Sequence, residues 1–160
     1  MQKKKILVSA MLTLSFAFAT NAATRSGDEG VSKYKTVSFE NVKVGGELRD
    51  RLMRNFNRLE ETKYQPDHVF LTEEESGYWP GDTEGRTILG LVMDARATGR
   101  TPLYLDEIIR RVPANLNELG YMGTIHRDSV DEQQLSGNGW MLRGLCEYYL
   151  WKRDEKLLPV

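Results

Sequence analysis

The chain carries one cysteine in 160 residues, Cys146. No disulfide can form within it, so the fold must rest on a packed core. Basic excess is also missing: 22 Lys and Arg stand against 23 Asp and Glu, a net charge of −1. That balance lacks the positive face by which nucleic acid is held. The sequence has no Gly-rich phosphate cradle, no nucleophile elbow and no metalloprotease helix. Long apolar runs are scarce. The longest, residues 6–19, covers 14 residues, short of the about 20 that span a bilayer.

That run follows Lys3, Lys4 and Lys5 and precedes the small residues Thr20, Ala22 and Ala23. Positive, apolar, small is the order of a secretory signal peptide, predicted here for residues 1–22 with cleavage near Ala22/Ala23. The mature chain is then secreted or periplasmic, and its net charge becomes −4 because three lysines and no acid are lost. No cysteine lies near the cleavage region, and no later segment reaches transmembrane length, so no membrane anchor is expected.

Residues 23–36 are polar and contain Gly and Ser, a flexible leader. Val37, Phe39, Val42 and Val44 alternate with polar residues and predict a short strand. A first helix is predicted over residues 47–61, with Leu48, Leu52, Met53, Phe56 and Leu59 on one face. Residues 62–82 form a long loop carrying Tyr78 and Trp79. A second helix over residues 83–98, capped by Asp82 or Thr83, is apolar nearly all round and is expected to be buried on several sides. A third starts at Pro102 and is divided or kinked at Pro113. A fourth covers residues 140–152, with Leu142, Leu145, Cys146, Tyr149 and Leu150 inward. Asp154 then caps the start of a further helix, about one turn of which is present. Gly90-Leu91 and Gly144-Leu145 stand 54 residues apart in similar settings. This weak repeat predicts an array of helical hairpins.

The runs GYWPGDTEGRTILGLVMDARATGR, LGYMGTI and LSGNGWMLRGLCEYYLWKRDEKLL resemble the N-terminal part of glycoside hydrolase family 127, the β-L-arabinofuranosidases and their relatives. The resemblance covers residues 37–160. It implies an all-α fold of helical hairpins belonging to an incomplete (α/α)6 barrel, with activity on polysaccharide side chains. The family's catalytic glutamate and its zinc-binding and nucleophilic cysteines match nothing in residues 37–160. No cofactor is therefore expected within this chain, although the resemblance implies zinc in a full-length relative. A substrate-contacting histidine of relatives is replaced here by the stretch Gly137-Asn138-Gly139-Trp140.

A glycosidase needs two carboxyls flanking the bond to be broken, and the catalytic residues stay unassigned in this chain. Cys146 reads as a buried structural thiol, Glu73-Glu74-Glu75 as a solvated run, and His126 with Asp128 as a surface loop. The residues that suit sugar binding are Trp79, Asp82, Glu84 and Arg86 before and at the start of the second helix, with Asn138 and Trp140 before the fourth. Aromatic faces stack on sugar C–H surfaces, and carboxylate, amide and guanidinium groups hydrogen-bond hydroxyls. The two loops are expected to face one pocket mouth. The functional expectation is an arabinofuranosidase-like glycoside hydrolase with a carbohydrate substrate. The alternatives are a non-catalytic glycan-binding fragment and a related helical-barrel sugar lyase or epimerase.

Overall fold

The computed structural model describes residues 35, 37, 38 and 41–159. The chain divides into two units, Met1–Thr36 and Val37–Val160. The signal peptide expected over residues 1–22 lies outside the described residues, as does the leader apart from Lys35. Within the second unit run four α-helices: α1 (Gly46–Arg58), α2 (Asp82–Thr98), α3 (Leu105–Arg111) and α4 (Glu132–Lys152). Short 3-10 turns occupy Thr62–Tyr64, Val112–Asn115 and Glu155–Leu157.

No strand exists among the described residues. The one expected near Val37 fails because nothing pairs with it. Val37 and Val42 are exposed, and the Asn41 N–H donates to the Ser38 carbonyl in a local turn. A lone extended segment has no partner for its ladder of backbone groups. Phe39 lies outside the described residues.

α2 sits at the centre. Of its 17 residues, only Arg86 is exposed, as its all-round apolar composition predicts. Ile88, Leu91 and Val92 pack with Phe56 of α1, Leu105 and Ile108 of α3, and Val69 and Val112 from the connections. On α1, Asn55 donates to Asp94 of α2 at 2.6 Å, and Leu59 covers Gly90. Numbers rise along α1 as they fall along α2, so the two form an antiparallel hairpin.

α4 runs parallel to α2 through a seam of glycines. Gly81 lies against Gly137, Gly85 against Trp140 and Met141, and Gly144 against Ile88. A Cβ on Gly85 would stand 2.2 Å from the Met141 nitrogen, and one on Gly144 would stand 2.6 Å from the Gly85 carbonyl oxygen. The two backbones touch, and no larger residue fits between them. The repeat read from Gly90 and Gly144 is not kept, since Gly90 faces α1 while Gly144 faces α2.

Four boundaries and one face differ from expectation. α1 ends at Arg58, not at 61, with Leu59 as its C-cap. α4 begins at Glu132, not at 140, because Asp131 caps it by accepting the Gln134 N–H at 2.8 Å. The helix also tolerates Gly137 and Gly139 in its interior. Asp82 is not the cap of α2: Gly81 holds that position in the left-handed region, at φ 89°. α3 starts at Leu105 because the Leu103 N–H is taken by Glu60 of the α1 exit, at 2.9 Å. Pro113 does divide the third helical segment, and Asp154 does cap the turn that follows α4, accepting the Lys156 N–H at 3.1 Å. The inner face of α4 is Gln134, Gly137, Met141, Gly144 and Tyr148. Cys146 is exposed, as are Leu142 and Leu150. Of the residues expected inward, Leu145 does pack against the core and Tyr149 is half-buried, while Leu142, Cys146 and Leu150 point outward, because close contact with α2 selects for small residues.

Candidate functional site

The segment before α2 is shaped by its own hydrogen bonds. Thr72 donates from both N–H and hydroxyl to Glu75, and the Glu75 N–H donates back to the Thr72 hydroxyl. These bonds hold the Glu75 carboxyl below the usual carboxylate range. The Ser76 hydroxyl donates to the Glu73 carbonyl at 2.7 Å. Thr124 ties the Glu73 side chain to the 120s loop. Two members of the acidic run are therefore engaged rather than merely solvated.

Gly77 and Tyr78 follow at φ 65° and 67°. For tyrosine this conformation costs roughly 1–2 kcal/mol. The turn leaves Tyr78 60% exposed and Trp79 40% exposed. The Pro80 carbonyl beyond them rests on Gly137 of α4, where a Cβ would come within 2.3 Å of its oxygen. The loop is thus clamped to α4 one turn below Trp140.

On that surface Asp82 accepts a hydrogen bond from Arg86 Nε at 2.9 Å. The Arg86 guanidinium in turn lies over the Trp140 ring, 4.1 Å from its centroid. Arg143 approaches the same ring at 5.5 Å. Such stacked cation–aromatic contacts are worth about 0.5–1 kcal/mol at exposed sites. Asp82, Arg86 and Trp140 therefore meet on one face, and Trp79 is joined to it through its carbonyl, which accepts the Asp82 N–H at 3.1 Å. Trp140 reaches it from the interior of α4, two turns past the helix start, so two equivalent loops do not build the face.

Glu84 and Asn138 are used elsewhere. Glu84 is fully buried and its Oε1 accepts the Leu71 N–H at 3.0 Å. Its Oε2 has no hydrogen-bond partner among the described residues. Burial pushes the carboxyl above the usual carboxylate range, against the lowering effect of backbone N–H groups at Glu84, Leu71 and Gly81. Asn138 accepts the Met122 N–H at 2.8 Å and donates to the Met122 carbonyl at 3.0 Å and the Gln134 carbonyl at 2.9 Å. With those bonds made, Asn138 holds the 120s loop against α4. Gln134, which the sequence did not single out, does the same by donating to the carbonyls of Met122 and Thr124 at 3.0 and 2.8 Å. The signal that could have found it is the spacing Asp131-x-x-Gln134, a capping pattern.

His126 and Asp128 are exposed, as a surface loop requires. Among the described residues no group of three or more His, Cys, Asp or Glu could hold a metal ion. The residues present do not fit the zinc implied for full-length relatives, and Cys146 is alone and exposed. Among the described residues no helix is long and apolar enough to cross a membrane. No family model matches the chain, and neither the curated proteins nor the solved structures offer a match.

Proposed function

We propose that the chain is the N-terminal, sugar-binding part of an arabinofuranosidase-like glycoside hydrolase. Trp79, Asp82, Arg86 and Trp140 orient the glycan. The observation that carries this reading is the stacking of a carboxylate–guanidinium pair, Asp82 and Arg86, on the Trp140 ring around the single exposed residue of α2, with the exposed Trp79 three residues before Asp82. A sugar offers C–H faces to stack and hydroxyls to bond, and this face supplies both kinds of partner. The motif resemblance and the arrangement of an antiparallel hairpin with a parallel inner helix support the same reading. Exported glycosidases meet their substrates outside the cytoplasm, which agrees with the predicted signal peptide.

A second reading, glycan binding without cleavage, is favoured by the state of the acids. Asp82 is paired with Arg86, and Glu84 is buried and held by the Leu71 N–H. Neither is placed as one of two free carboxyls flanking a glycosidic bond. Titration of arabinofuranosyl oligosaccharides into the protein, followed by calorimetry, tests both. Binding is expected, and Trp79→Ala should weaken it about tenfold, equivalent to about 1.4 kcal/mol, without moving the melting temperature. Hydrolysis of an aryl arabinofuranoside by the chain would reject the second reading. Absence of binding to furanosyl and pyranosyl glycans alike would reject both.

A further inference from the structure

We propose that the outer face of α4 docks a second copy of this chain, helix against antiparallel helix. The inner face of α4 is spent on α2, yet the opposite side is apolar too. Leu135, Gly139, Leu142, Cys146 and Leu150 fall three or four residues apart and form one exposed stripe. That is the spacing of a helix–helix seam. Leu142 and Leu150 are 64% and 53% exposed, far more than ordinary core leucines. Beside the stripe runs an apolar groove of about 570 Å³, bordered by Leu116, Tyr121 and Leu157, with room for a partner's leucines.

Charge decides the occupant. The first turn of α4 bears the exposed acid Glu132, and its end bears the exposed bases Lys152 and Arg153. An antiparallel copy brings Glu132 of each chain to Arg153 of the other, whose guanidinium lies over the Tyr149 ring beside the stripe, and sets the two helix dipoles in opposition. A parallel copy would put like charges together. With the two-fold axis between positions 142 and 143, Leu135 meets Leu150 of the second copy and Gly139 meets Cys146. A Cβ at Gly139 touches nothing within 4 Å in the single chain, leaving space for that thiol. The two charged side chains flanking the stripe are drawn aside, Arg143 toward the Trp140 ring and Glu147 to Arg96 at 3.3 Å. The seam is therefore left apolar. None of these contacts involves Trp79, Asp82 or Arg86.

Sedimentation and light scattering on the purified protein should report twice the chain mass, and Leu142→Glu should return it to a monomer with unchanged helix content. Gly139→Cys should form a disulfide-linked dimer under mild oxidation, and Cys146→Ser in the same background should abolish it. Wild-type protein should not cross-link. Its two Cys146 positions lie seven residues, about 10 Å, apart along the seam, beyond disulfide reach. A monomer at every concentration would overturn the proposal and assign the face to another occupant. A dimer that survives Leu142→Glu, or wild-type cross-linking as ready as that of Gly139→Cys, would overturn it as well.

Discussion

α2 and α4 lie side by side in the same direction, and both are rich in apolar residues, yet they use them in opposite ways. α2 is packed over most of its surface, and Arg86 is its one exposed residue. α4 gives α2 its glycines and turns Leu135, Leu142 and Leu150 outward. An even distribution of apolar residues around a helix thus has two solutions. Either the helix is surrounded, or it has two faces with different partners. The size of the residues tells which face meets what: backbone contact needs glycine, and side-chain contact uses leucine.

The contrast can be broken first at its leucines. Leu91→Ala, in the enclosed helix, should lower stability by about 3 kcal/mol. Leu142→Ala, on the outer face, should change the stability of the dilute single chain by less than about 0.5 kcal/mol. Denaturant melts of both variants at equal low concentration make the comparison, and similar losses would mean that α4 is covered where the structure shows it open.

The glycines should then differ in sign. Gly85→Ala places a methyl group 2.2 Å from the Met141 nitrogen. Because backbone cannot step aside, the helices must separate, at about 2 kcal/mol or more. Gly139→Ala adds a methyl group into open space and raises helix propensity, a gain of roughly 0.5–1 kcal/mol. Thermal melts would show one transition moving down and the other up. Two losses in the dilute single chain would mean that Gly139 is packed where the structure leaves it open.

The smallest effect sharpens the entry to α2. Burial raises the folded pKa of Glu84 above its ordinary value of 4.5, so the folded state holds that proton more tightly than the unfolded one. Its contribution favours folding below pH 4.5 and is lost as pH rises through the raised folded value. Asp94 carries the same sign, raised by burial and partly offset by the Asn55 hydrogen bond. Glu84→Gln should match wild type near pH 4. It should be about 1 kcal/mol more stable at pH 8, where the unpaired Oε2 no longer bears charge. Melts across that range check it, and equal stability at both ends would place the carboxyl in contact with water.

The same contrast explains which elements are legible in the sequence. α2 was legible because Ile88, Leu91, Val92 and Ala95 announce a buried helix by size and spacing. The inner face of α4 was not, because Gly137 and Gly144 carry no hydrophobic signal, and the large residues beside them drew the periodicity onto the wrong side. That error also buried Cys146, which is exposed. At the candidate site, the pairing of Asp82 with Arg86 follows from their four-residue spacing in the first turns of α2. Their meeting with Trp140 depends on how far α4 extends past the start of α2, a long-range fact hidden in the Asp131 cap. Glu84 reads in sequence as a sugar-binding acid in the first turn of the helix. Its burial follows from Leu71 crossing over it, which no local pattern records.

The enclosure of α2 also sets a problem in time. A ribosome delivers α2 well before the helix that covers its glycine face, since 54 residues separate the end of α2 at Thr98 from the end of α4 at Lys152. At the ~5–20 residues per second of synthesis, that interval is roughly 3–10 s. For most of those seconds α2 has only α1 and α3 beside it, and the flank at Gly85 and Ile88, where α4 will lie, stays open. Holding that flank until α4 arrives is a task for whatever first meets the nascent chain.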